Sequence, residues 1–537
     1  MPALHDLTDQ DLKALAPEAV TQLAVQMLRR LRQQDSELAQ RASEIQFKDA
    51  KIEKITLQLA QLKAWKFGAK TEAMSAEQRH LFEETFAEDE ASLQAQLDQL
   101  ERARAQAGTP PAADPKPPRK PRRQPLPEHL HRVDHHHEPE DTNCPSADCG
   151  REMVRVGEDV SERLDIIPAE FFVHRHIYGK WACRCCQQLV QERAAPQIIE
   201  GGMASAGLIA HTMVGHYVDH LPYYRMESIN ARSSVHTPRS TLASWSGSGG
   251  GALVPVVEAH KRFVLSAAVL HADETPVAML KPGAGKTHRA YLWSYCTTAY
   301  NPIRAVVFDF ADSRGGQHCR AFLGLPGQEG WHGSLVCDDF SGYKACFELG
   351  VSEAGCLAHA RRKFHELWVN HQSTIGEQAL KFFVQLYEVE REVHDLDPPE
   401  RQRIRQERSR PVADALHLGL TQQRRKLPEG SATIKAIDYS LNRWAALTRY
   451  IDDGNLPADN NWVENQIRPI AIGRSNWLFA GSLRAGQRAA AIMSLVHSAR
   501  LNGHDPYAYL RDVLERLPTQ PASRIDELLP HRWSSTT

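Results

Sequence analysis

The sequence contains 537 residues, of which 42% are hydrophobic, and its 64 Lys and Arg residues nearly balance 66 Asp and Glu residues, for a net charge of −2. These values predict about three to five structural units, and they exclude a wholly disordered chain and a uniformly basic surface. No apolar stretch approaches the ~20 residues of a membrane-spanning helix and the acidic start lacks a secretion signal, so we expect a cytoplasmic protein with reduced or metal-bound cysteines and no membrane contact.

Residues 1–104 carry a heptad pattern. Leucine or isoleucine recurs every seven residues at five positions, namely Leu31, Leu38, Ile45, Ile52 and Leu59. Five positions in one phase favour a coiled coil, which predicts self-association of this region, at least as a dimer. A helix that packs on its own chain is the alternative.

Residues 105–140 are rich in proline and in basic side chains. The prolines between Pro110 and Pro127 prevent a continuous helix or sheet, and they predict an extended linker. The centre of the linker contains Lys120, Arg122 and Arg123, which would attract nucleic-acid phosphates without reading the base sequence. A plain solvated linker explains the same composition.

Four cysteines within residues 141–195 form two close pairs, Cys144 with Cys149 and Cys183 with Cys186. Strand-like segments separate the pairs, as expected for the two knuckles of a zinc ribbon, and four thiolates complete the tetrahedral shell of a structural Zn²⁺ ion. The pattern therefore predicts a zinc site at these cysteines. Buried thiols, or a contribution from His135–His137, are the alternatives.

Residues 196–250 are predicted to form a small helical unit. Two helical segments joined by a turn-rich stretch, the second bearing Arg239, are typical of a helix–turn–helix, in which the second helix enters the DNA major groove. Short helical pairs are common, so an ordinary packed pair is the alternative. The sequence SGSGGG at 246–251 predicts a flexible joint.

Residues 251–505 change to a strand-rich pattern. Three β-rich runs are followed by a helix and a fourth strand, an order that suits a ribonuclease-H-like α/β domain. Asp273 ends the first strand and Asp338 ends the fourth, and these two strands are neighbours in that architecture. Glu464 lies far downstream, at the start of a helix-friendly run, so it can project a third carboxylate towards the same sheet.

Three carboxylates in one cleft repel each other unless cations offset their charge. Their hard oxygen atoms favour Mg²⁺ or Mn²⁺ as the cation. Two such ions ~3.5–4 Å apart activate an attacking oxygen and stabilise the leaving oxygen when a phosphodiester is displaced. Asp273, Asp338 and Glu464 are therefore the candidate catalytic residues and the candidate ligands of two ions.

The interval between Asp338 and Glu464 is too long for one loop and predicts a helical insertion at about 365–450. The arginines between Arg401 and Arg410 either contact DNA or form a solvated face. Better candidates for phosphate contact lie closer to the predicted cleft, and they are His359, Arg361, Arg362, Lys363, Arg468, Arg474, Arg484 and Arg488. For His359, the alternative is a histidine packed in the core. Residues 506–537 are predicted to form a C-terminal helix and tail.

Four motifs occur in order along the chain: HADETP around Asp273, CDDFSGY around Asp338, GCLAHARRKF at 355–364 and DNNWVENQIRP around Glu464. With further matches over roughly residues 20–518, they resemble the transposases of the insertion sequence 66 family. The resemblance implies a DDE-type transposase with a ribonuclease-H-like core, and an acidic triad formed by the three carboxylates named above.

The sequence departs from the motifs of that family at two positions. Asp339 stands where many members have glycine, which leaves a choice between Asp338 and Asp339 as the second ligand, and the motif alignment favours Asp338. Asn465 follows Glu464 where many members have arginine, which removes one possible phosphate contact.

The expected function is therefore metal-dependent cleavage at the ends of an insertion sequence and transfer of those ends into target DNA. The expected partners are double-stranded DNA (terminal inverted repeats and target), a second copy of the chain, and accessory proteins of the same element; the expected location is the bacterial nucleoid. Two alternatives stay open: a non-catalytic, zinc-dependent DNA-binding regulator, and a plain endonuclease or resolvase with the same core.

Overall fold

The computed structural model describes residues 88–101, 130–139, 142–143 and 151–535, apart from 168–169, 282–285, 327–329 and 478, with isolated positions between 51 and 59 and at 126 and 128. The chain divides into two compact units, and the second unit, Gly68–Ala95 with Arg122–Thr537, contains nearly all described residues. In the first unit, the described positions between 51 and 59 are helical, and Ile55 and Leu59 are buried. Most of the heptad positions lie outside the described residues, so the coiled coil stays a prediction.

The first sheet of the second unit contains four strands in the order β1-β3-β2, and β4 pairs with the β3 strand. Strands β2 and β3 form a long antiparallel hairpin where the sequence predicts the strands of the zinc ribbon, and β1 joins β3 in parallel. The strands are β1 (His131–His137), β2 (Val154–Ile167), β3 (Glu170–Ala182) and β4 (Leu189–Gln191).

Histidine side chains join β1 to β3. The Nε2 atom of His135 lies 2.8 Å from Nδ1 of His174, and Nε2 of His137 lies 3.0 Å from Nδ1 of His176. His174 also contacts the buried Asp165, whose Oδ2 lies 2.6 Å from Nε2 of His174. The histidines of β1, an alternative source of zinc ligands in the sequence, thus make contacts with the neighbouring strand.

Helical segments follow the first sheet, as predicted, but the predicted flexible joint is wrong. Residues 246–251 lie inside a helix and are buried. A Cβ atom on Gly247 would lie 2.2 Å from the backbone oxygen of Glu88, and one on Gly251 would lie 2.5 Å from the backbone oxygen of Ser92. The glycines are therefore needed because residues 88–95, also helical, approach this face closely. The helices are α1 (Ala206–Tyr217), α2 (Tyr223–Arg232), α3 (Arg239–Ala252) and α4 (Val254–Val264).

A buried ion cluster fixes the 88–95 segment to the C-terminal helices. Arg488 Nη1 donates to Oδ1 of Asp89 at 2.9 Å, and Nη2 donates to Glu88. Ser482 Oγ donates to the other carboxylate oxygen of Asp89 at 2.8 Å. The side chain of Arg488 is only 3% exposed. Its predicted role in binding phosphate is therefore wrong, because its charge is already engaged inside the protein.

The second sheet contains five strands in the order β7-β6-β5-β8-β9. Strands β5, β6 and β7 are antiparallel neighbours, whereas β8 and β9 run parallel to β5. Three strands, a helix and a fourth strand follow one another as the sequence predicts. The elements are β5 (Val269–Met279), β6 (His288–Thr297), β7 (Val306–Ala311), α5 (Gly316–Leu323), β8 (Ser334–Cys337), α6 (Lys344–Phe347) and β9 (Ser352–Gly355).

Helices fill the interval after β9 and pack around a core of their own, as expected for an insertion. Two arginines in the basic run of this insertion, Arg401 and Arg405, are buried. Arg405 is fully buried, donates to Glu390 at 2.8 Å and donates to the carbonyl oxygen of Tyr450 at 2.8 Å. Neither a DNA contact nor a solvated face describes this side chain. The helices are α7 (Leu357–His371), α8 (Thr374–Val393), α9 (Pro398–Ile404), α10 (Arg410–Arg424), α11 (Ala432–Asn442) and α12 (Trp444–Asp452).

Three helices complete the chain: α13 (Asn461–Trp477), α14 (Leu483–Leu501) and α15 (Pro506–Arg516). Helix α14 covers the edge strand β7, where Ser494 Oγ accepts from the backbone N–H of Phe308 at 2.8 Å and Ser498 Oγ accepts from that of Val306 at 3.0 Å. The open edge of the sheet is therefore protected by the protein itself.

In the described part of the chain, no helix combines the length and apolarity needed to cross a bilayer.

We predict that Arg488→Ala lowers the free energy of unfolding by ~3–5 kcal/mol, because it leaves the buried Glu88 and Asp89 carboxylates without their partner. Urea denaturation measures the change. Arg408→Ala is the matched control, because Arg408 pairs with Glu392 at the surface, where screening leaves little net energy. Equal effects of the two substitutions would contradict the buried cluster.

Candidate active site

The parallel pairing of β5 with β8 determines where the first two acidic side chains lie. Leu270 is paired with Leu335, and His271 with Val336. Continued for two more residues, this register places Asp273 beside Asp338, at the carboxyl end of β8. The sequence therefore brings these two carboxylates together by strand pairing alone.

Glu464 reaches the same place because its helix is anchored to β5. The residue before the helix, Asn460, is fully buried, and its Nδ2 donates to the carbonyl oxygen of Ala272 at 2.9 Å. Its Oδ1 lies 2.8 Å from Nδ1 of His271. Glu464 lies in the first turn of α13 and so projects beside the end of the strand that carries Asp273.

The charges of the other two candidate carboxylates act on Asp273. Burial raises the pKa of Asp273 to about 8, and the negative charges of Glu274, Asp338 and Glu464 act in the same direction. The backbone N–H of Glu274, which donates to Asp273 Oδ1 at 2.9 Å, opposes the rise in pKa. Neighbouring cations would offset this repulsion.

The donor atoms of the cleft fit a hard divalent cation. All three side chains offer carboxylate oxygens, and Glu464 Oε1 is buried without a hydrogen bond from any residue that the structure describes. Within the described ranges, no three His, Cys, Asp or Glu side chains are already arranged to hold a metal ion.

Basic side chains of α7 face the third carboxylate. His359 Nε2 lies 3.7 Å from Oε1 of Glu464, and Arg362 Nη2 lies 3.9 Å from its Oε2. Burial lowers the pKa of His359, and the charge of Glu464 opposes the change. Arg361 is exposed, whereas the ammonium of Lys363 lies 4.5 Å from the ring centroid of Tyr439.

An arginine that the sequence analysis missed separates the roles of Asp338 and Asp339. Arg443 Nη2 donates to the carbonyl oxygen of Asp338 at 3.1 Å, and Nε lies 3.5 Å from Oδ1 of Asp339. The same guanidinium donates to Glu353 at 2.9 Å. Asp339 is thus turned towards the insertion, while the charge of Asp338 acts on Asp273. No local sequence pattern marks Arg443, because its contacts come from distant segments.

Glu274, next to Asp273, belongs to a different group of side chains. Alternation along β5 directs the two side chains to opposite faces. Glu274 accepts from Arg314 Nε at 2.7 Å and from the hydroxyl of Tyr343 at 2.5 Å. These contacts give Glu274 a structural role.

The remaining candidates for DNA contact differ in their surroundings. Arg474 donates to Thr275 Oγ1 at 3.1 Å and so joins α13 to β5, whereas Arg468 is exposed. Arg239 begins α3, and its Nε lies 3.9 Å from Glu227. The three basic residues of the linker, Lys120, Arg122 and Arg123, lie outside the described residues.

One half of the cysteine site is described. Cys183 is buried and begins a tight turn in which the N–H of Gln187 donates to its carbonyl oxygen at 2.9 Å. Gln187 has a left-handed φ of 57°, which brings the chain back towards Cys183 after Cys186. Cys144 and Cys149 lie outside the described residues.

Four family models match consecutive parts of the chain. A family model described as "Transposase IS66 family" matches residues 201–488, which include all three carboxylates. The chain belongs to the IS66 transposase family. An "IS66 C-terminal element" matches residues 494–531, and a "zinc-finger binding domain of transposase IS66" matches residues 141–187, which contain all four candidate zinc ligands. A model described as "Transposase C of IS166 homeodomain" matches residues 54–134.

Relatives of this IS66 family member occur in Sinorhizobium fredii (strain NBRC 101917 / NGR234). The chain is 34% identical over 425 residues to "Uncharacterized protein y4jD", covering 76% of this chain and 82% of the relative. It is 36% identical over 434 residues to "Uncharacterized protein y4qI", covering 78% and 79% of the two chains. The expected family is therefore confirmed, with transposase, zinc-finger and DNA-binding segments.

We predict that Arg443→Ala loosens the segment that carries Asp338. The substitution removes three contacts of a guanidinium that is only 7% exposed and leaves Glu353 unpaired, so unfolding should become easier by ~2–4 kcal/mol. Amide hydrogen exchange at 338–343 should accelerate. Arg424→Ala, which removes a surface pair with Asp438 in the same insertion, should leave exchange there unchanged. Unchanged protection in Arg443→Ala would refute the role of this arginine.

Proposed function

We propose that this chain is an active DDE-type transposase that cuts DNA at the ends of an insertion sequence and joins them to target DNA. One observation carries the proposal: the β5–β8 register and the Asn460 anchor bring Asp273, Asp338 and Glu464 to one cleft in a member of a transposase family. Burial is the main cause of the raised pKa of Asp273, and the charges of Asp338 and Glu464 add to it, which supports the same conclusion.

The sheet supports a ribonuclease-H-like assignment of the core. Numbered within this domain, its strands have the order 3-2-1-4-5, with the first three antiparallel and the last two parallel to the first. The strands that carry or precede the two aspartates are adjacent, as expected, although Asp273 lies within β5 and not at its end.

Asp273, Asp338 and Glu464 would hold two Mg²⁺ or Mn²⁺ ions. When bound, the ions supply Lewis acidity for displacement at a phosphodiester. Asp338 rather than Asp339 is the second ligand in this proposal, because Arg443 engages Asp339. Asn460 and Arg443 hold the ligands in position, and they act through the backbone of Ala272 and of Asp338.

The basic side chains around the cleft would orient the DNA backbone. His359 and Arg362 lie next to Glu464, and the exposed Arg361 and Arg468 extend this charge outwards. Contacts with phosphate position DNA without reading its sequence. The cysteine site, a structural zinc site at Cys144, Cys149, Cys183 and Cys186, would act with the helices around Arg239 to recognise terminal repeats, and residues 1–104 would pair two copies of the chain.

A non-catalytic regulator and a plain endonuclease or resolvase are the competing functions. A regulator would bind the repeats but would not nick them when Mg²⁺ is added, and an endonuclease would cut without joining. A strand-transfer assay with labelled terminal-repeat DNA and a plasmid target separates all three. The proposal predicts both nicking and joining.

We predict that Asp273→Asn and Asp338→Asn each reduce cleavage by ~10³-fold or more, because the loss of a metal ligand removes several kcal/mol of transition-state stabilisation. Affinity for terminal-repeat DNA should change little. Asp339→Asn is the matched control and should retain most of the activity. A fully active Asp338→Asn protein, or an inactive Asp339→Asn protein that is correctly folded, would contradict the assignment of the second ligand.

We predict that the purified protein binds one zinc ion and that Cys183→Ser removes it, because a thiolate ligand is lost. Cys185→Ser should retain the metal, since Cys185 is exposed and lies between the paired cysteines. Elemental analysis measures the zinc-to-protein ratio. Retention of full zinc content by Cys183→Ser, or its loss from Cys185→Ser, would refute the proposed ligand set.

A further inference from the structure

A second cleft lies on the same face of the second sheet as the acidic cluster. Its volume is about 480 Å³, within the range of small-ligand sites. The loop after β6, helix α8 of the insertion and residues 457–462 form its walls, and His271 lies at its base. His271 and Asp273 are two residues apart on β5 and therefore face the same side of the sheet.

Aromatic rings dominate the walls of this cleft. Tyr300, Tyr387 and Trp462 line it, and each is partly exposed. The indole N–H of Trp462 already donates to the carbonyl oxygen of Thr297 at 2.9 Å, and the hydroxyl of Tyr387 donates to Asp459 at 2.9 Å. These bonds fix the rings, so a ligand would meet preformed ring faces on which a flat group can stack.

A buried acceptor lies at the base of the cleft. Asn460 uses its Nδ2 to donate to the carbonyl oxygen of Ala272, so its Oδ1 is the acceptor for His271. Nδ1 of His271 therefore carries the proton, and Nε2 has the lone pair. His271 is fully buried, and Nε2 has no hydrogen-bond partner among the described residues. A ligand with an N–H donor would satisfy it.

The charges of the cleft favour an uncharged group over a phosphate. Three carboxylates line it, compared with one arginine and two histidines: Glu390, Asp395, Asp459, Arg391, His271 and His394. A phosphate would be repelled inside. At the outer side, the exposed Arg304 lies 5.6 Å from the ring centroid of Trp462, where a backbone phosphate next to the ligand would find a cation.

We propose that this cleft binds one nucleobase that is turned out of the DNA duplex at the end of the element. The base stacks on Trp462 and donates an exocyclic N–H to His271 Nε2, a contact open to adenine, cytosine and guanine, whereas thymine has only its ring N3–H to donate. Trp462 lies in the same helical turn as Glu464, so a base held there would leave the duplex near the start of the helix that carries the third carboxylate. The inference rests on the proposed function for its choice of DNA.

The test measures DNA affinity by fluorescence anisotropy of the full chain without divalent cation, so that no cleavage is needed. The duplexes carry the end of the element with one abasic nucleotide at each terminal position in turn. Trp462→Ala should bind the intact duplex about 5- to 100-fold more weakly than wild type, because a base–aromatic stack is lost. At the position of the turned-out base, the abasic nucleotide should make the affinities of wild type and Trp462→Ala equal, because neither protein then has a base to stack.

Control variants separate stacking from folding. Trp462→Phe keeps a ring and should bind nearly as well as wild type, whereas Trp462→Leu keeps only bulk and should behave like Trp462→Ala. Trp368→Ala removes a tryptophan that is 41% exposed on α7. Any loss of DNA affinity in this control should be the same for every abasic duplex. Equal binding by Trp462→Phe and Trp462→Leu, or no position that equalises Trp462→Ala and wild type, would overturn the proposal.

Base analogues test the acceptor. At the responsive position, replacing adenine with unsubstituted purine should weaken binding of wild type several-fold, and unchanged affinity would refute the role of His271. If a position-specific response occurs but wild type neither nicks nor joins DNA with Mg²⁺, the proposed function fails and the nucleobase site stands. If wild type transfers strands but no position responds, the nucleobase site fails alone.

Discussion

Repulsion among three carboxylates in one half-buried cleft is the constraint on which the rest of this structure depends. Asp273, Asp338 and Glu464 come from segments far apart in the sequence, and without cations their mutual charge opposes the fold that gathers them. Burial raises the pKa of Asp273 to about 8, and the charges of Glu274, Asp338 and Glu464 add to the rise. Neutral contacts hold the cluster together: strand pairing for two members, and the amide of Asn460 for the third.

The helical insertion contributes to the same cleft from outside. Arg443, which lies between α11 and α12, binds the backbone next to Asp338 and draws Asp339 away. His359 and Arg362 on α7 place positive charge beside Glu464. The insertion is thus more than a spacer between the second and third carboxylates. It positions the segment of Asp338 and places basic side chains beside Glu464. Folding of the insertion and assembly of the cleft are consequently coupled.

Local patterns predicted much of this fold because they depend on neighbours in the sequence. The strand–strand–strand–helix–strand order, the helices after residue 205 and the position of Asp338 directly after β8 follow from such patterns, whereas Asp273, predicted at a strand end, lies within β5, which continues to Met279. Patterns failed where distant segments decide the environment. SGSGGG has the composition of a linker, yet its glycines admit the backbone of residues 88–95. Arg405 and Arg488 have the sequence context of phosphate-binding residues, yet internal carboxylates bind both.

Anomalous diffraction at the manganese edge, from crystals of the full chain with terminal-repeat DNA and Mn²⁺, tests the central claim most directly. The account predicts two manganese peaks ~3.5–4 Å apart, with oxygens of Asp273, Asp338 and Glu464 as ligands. Manganese bound elsewhere, or DNA seated in the cleft with no manganese at these three side chains, would contradict it.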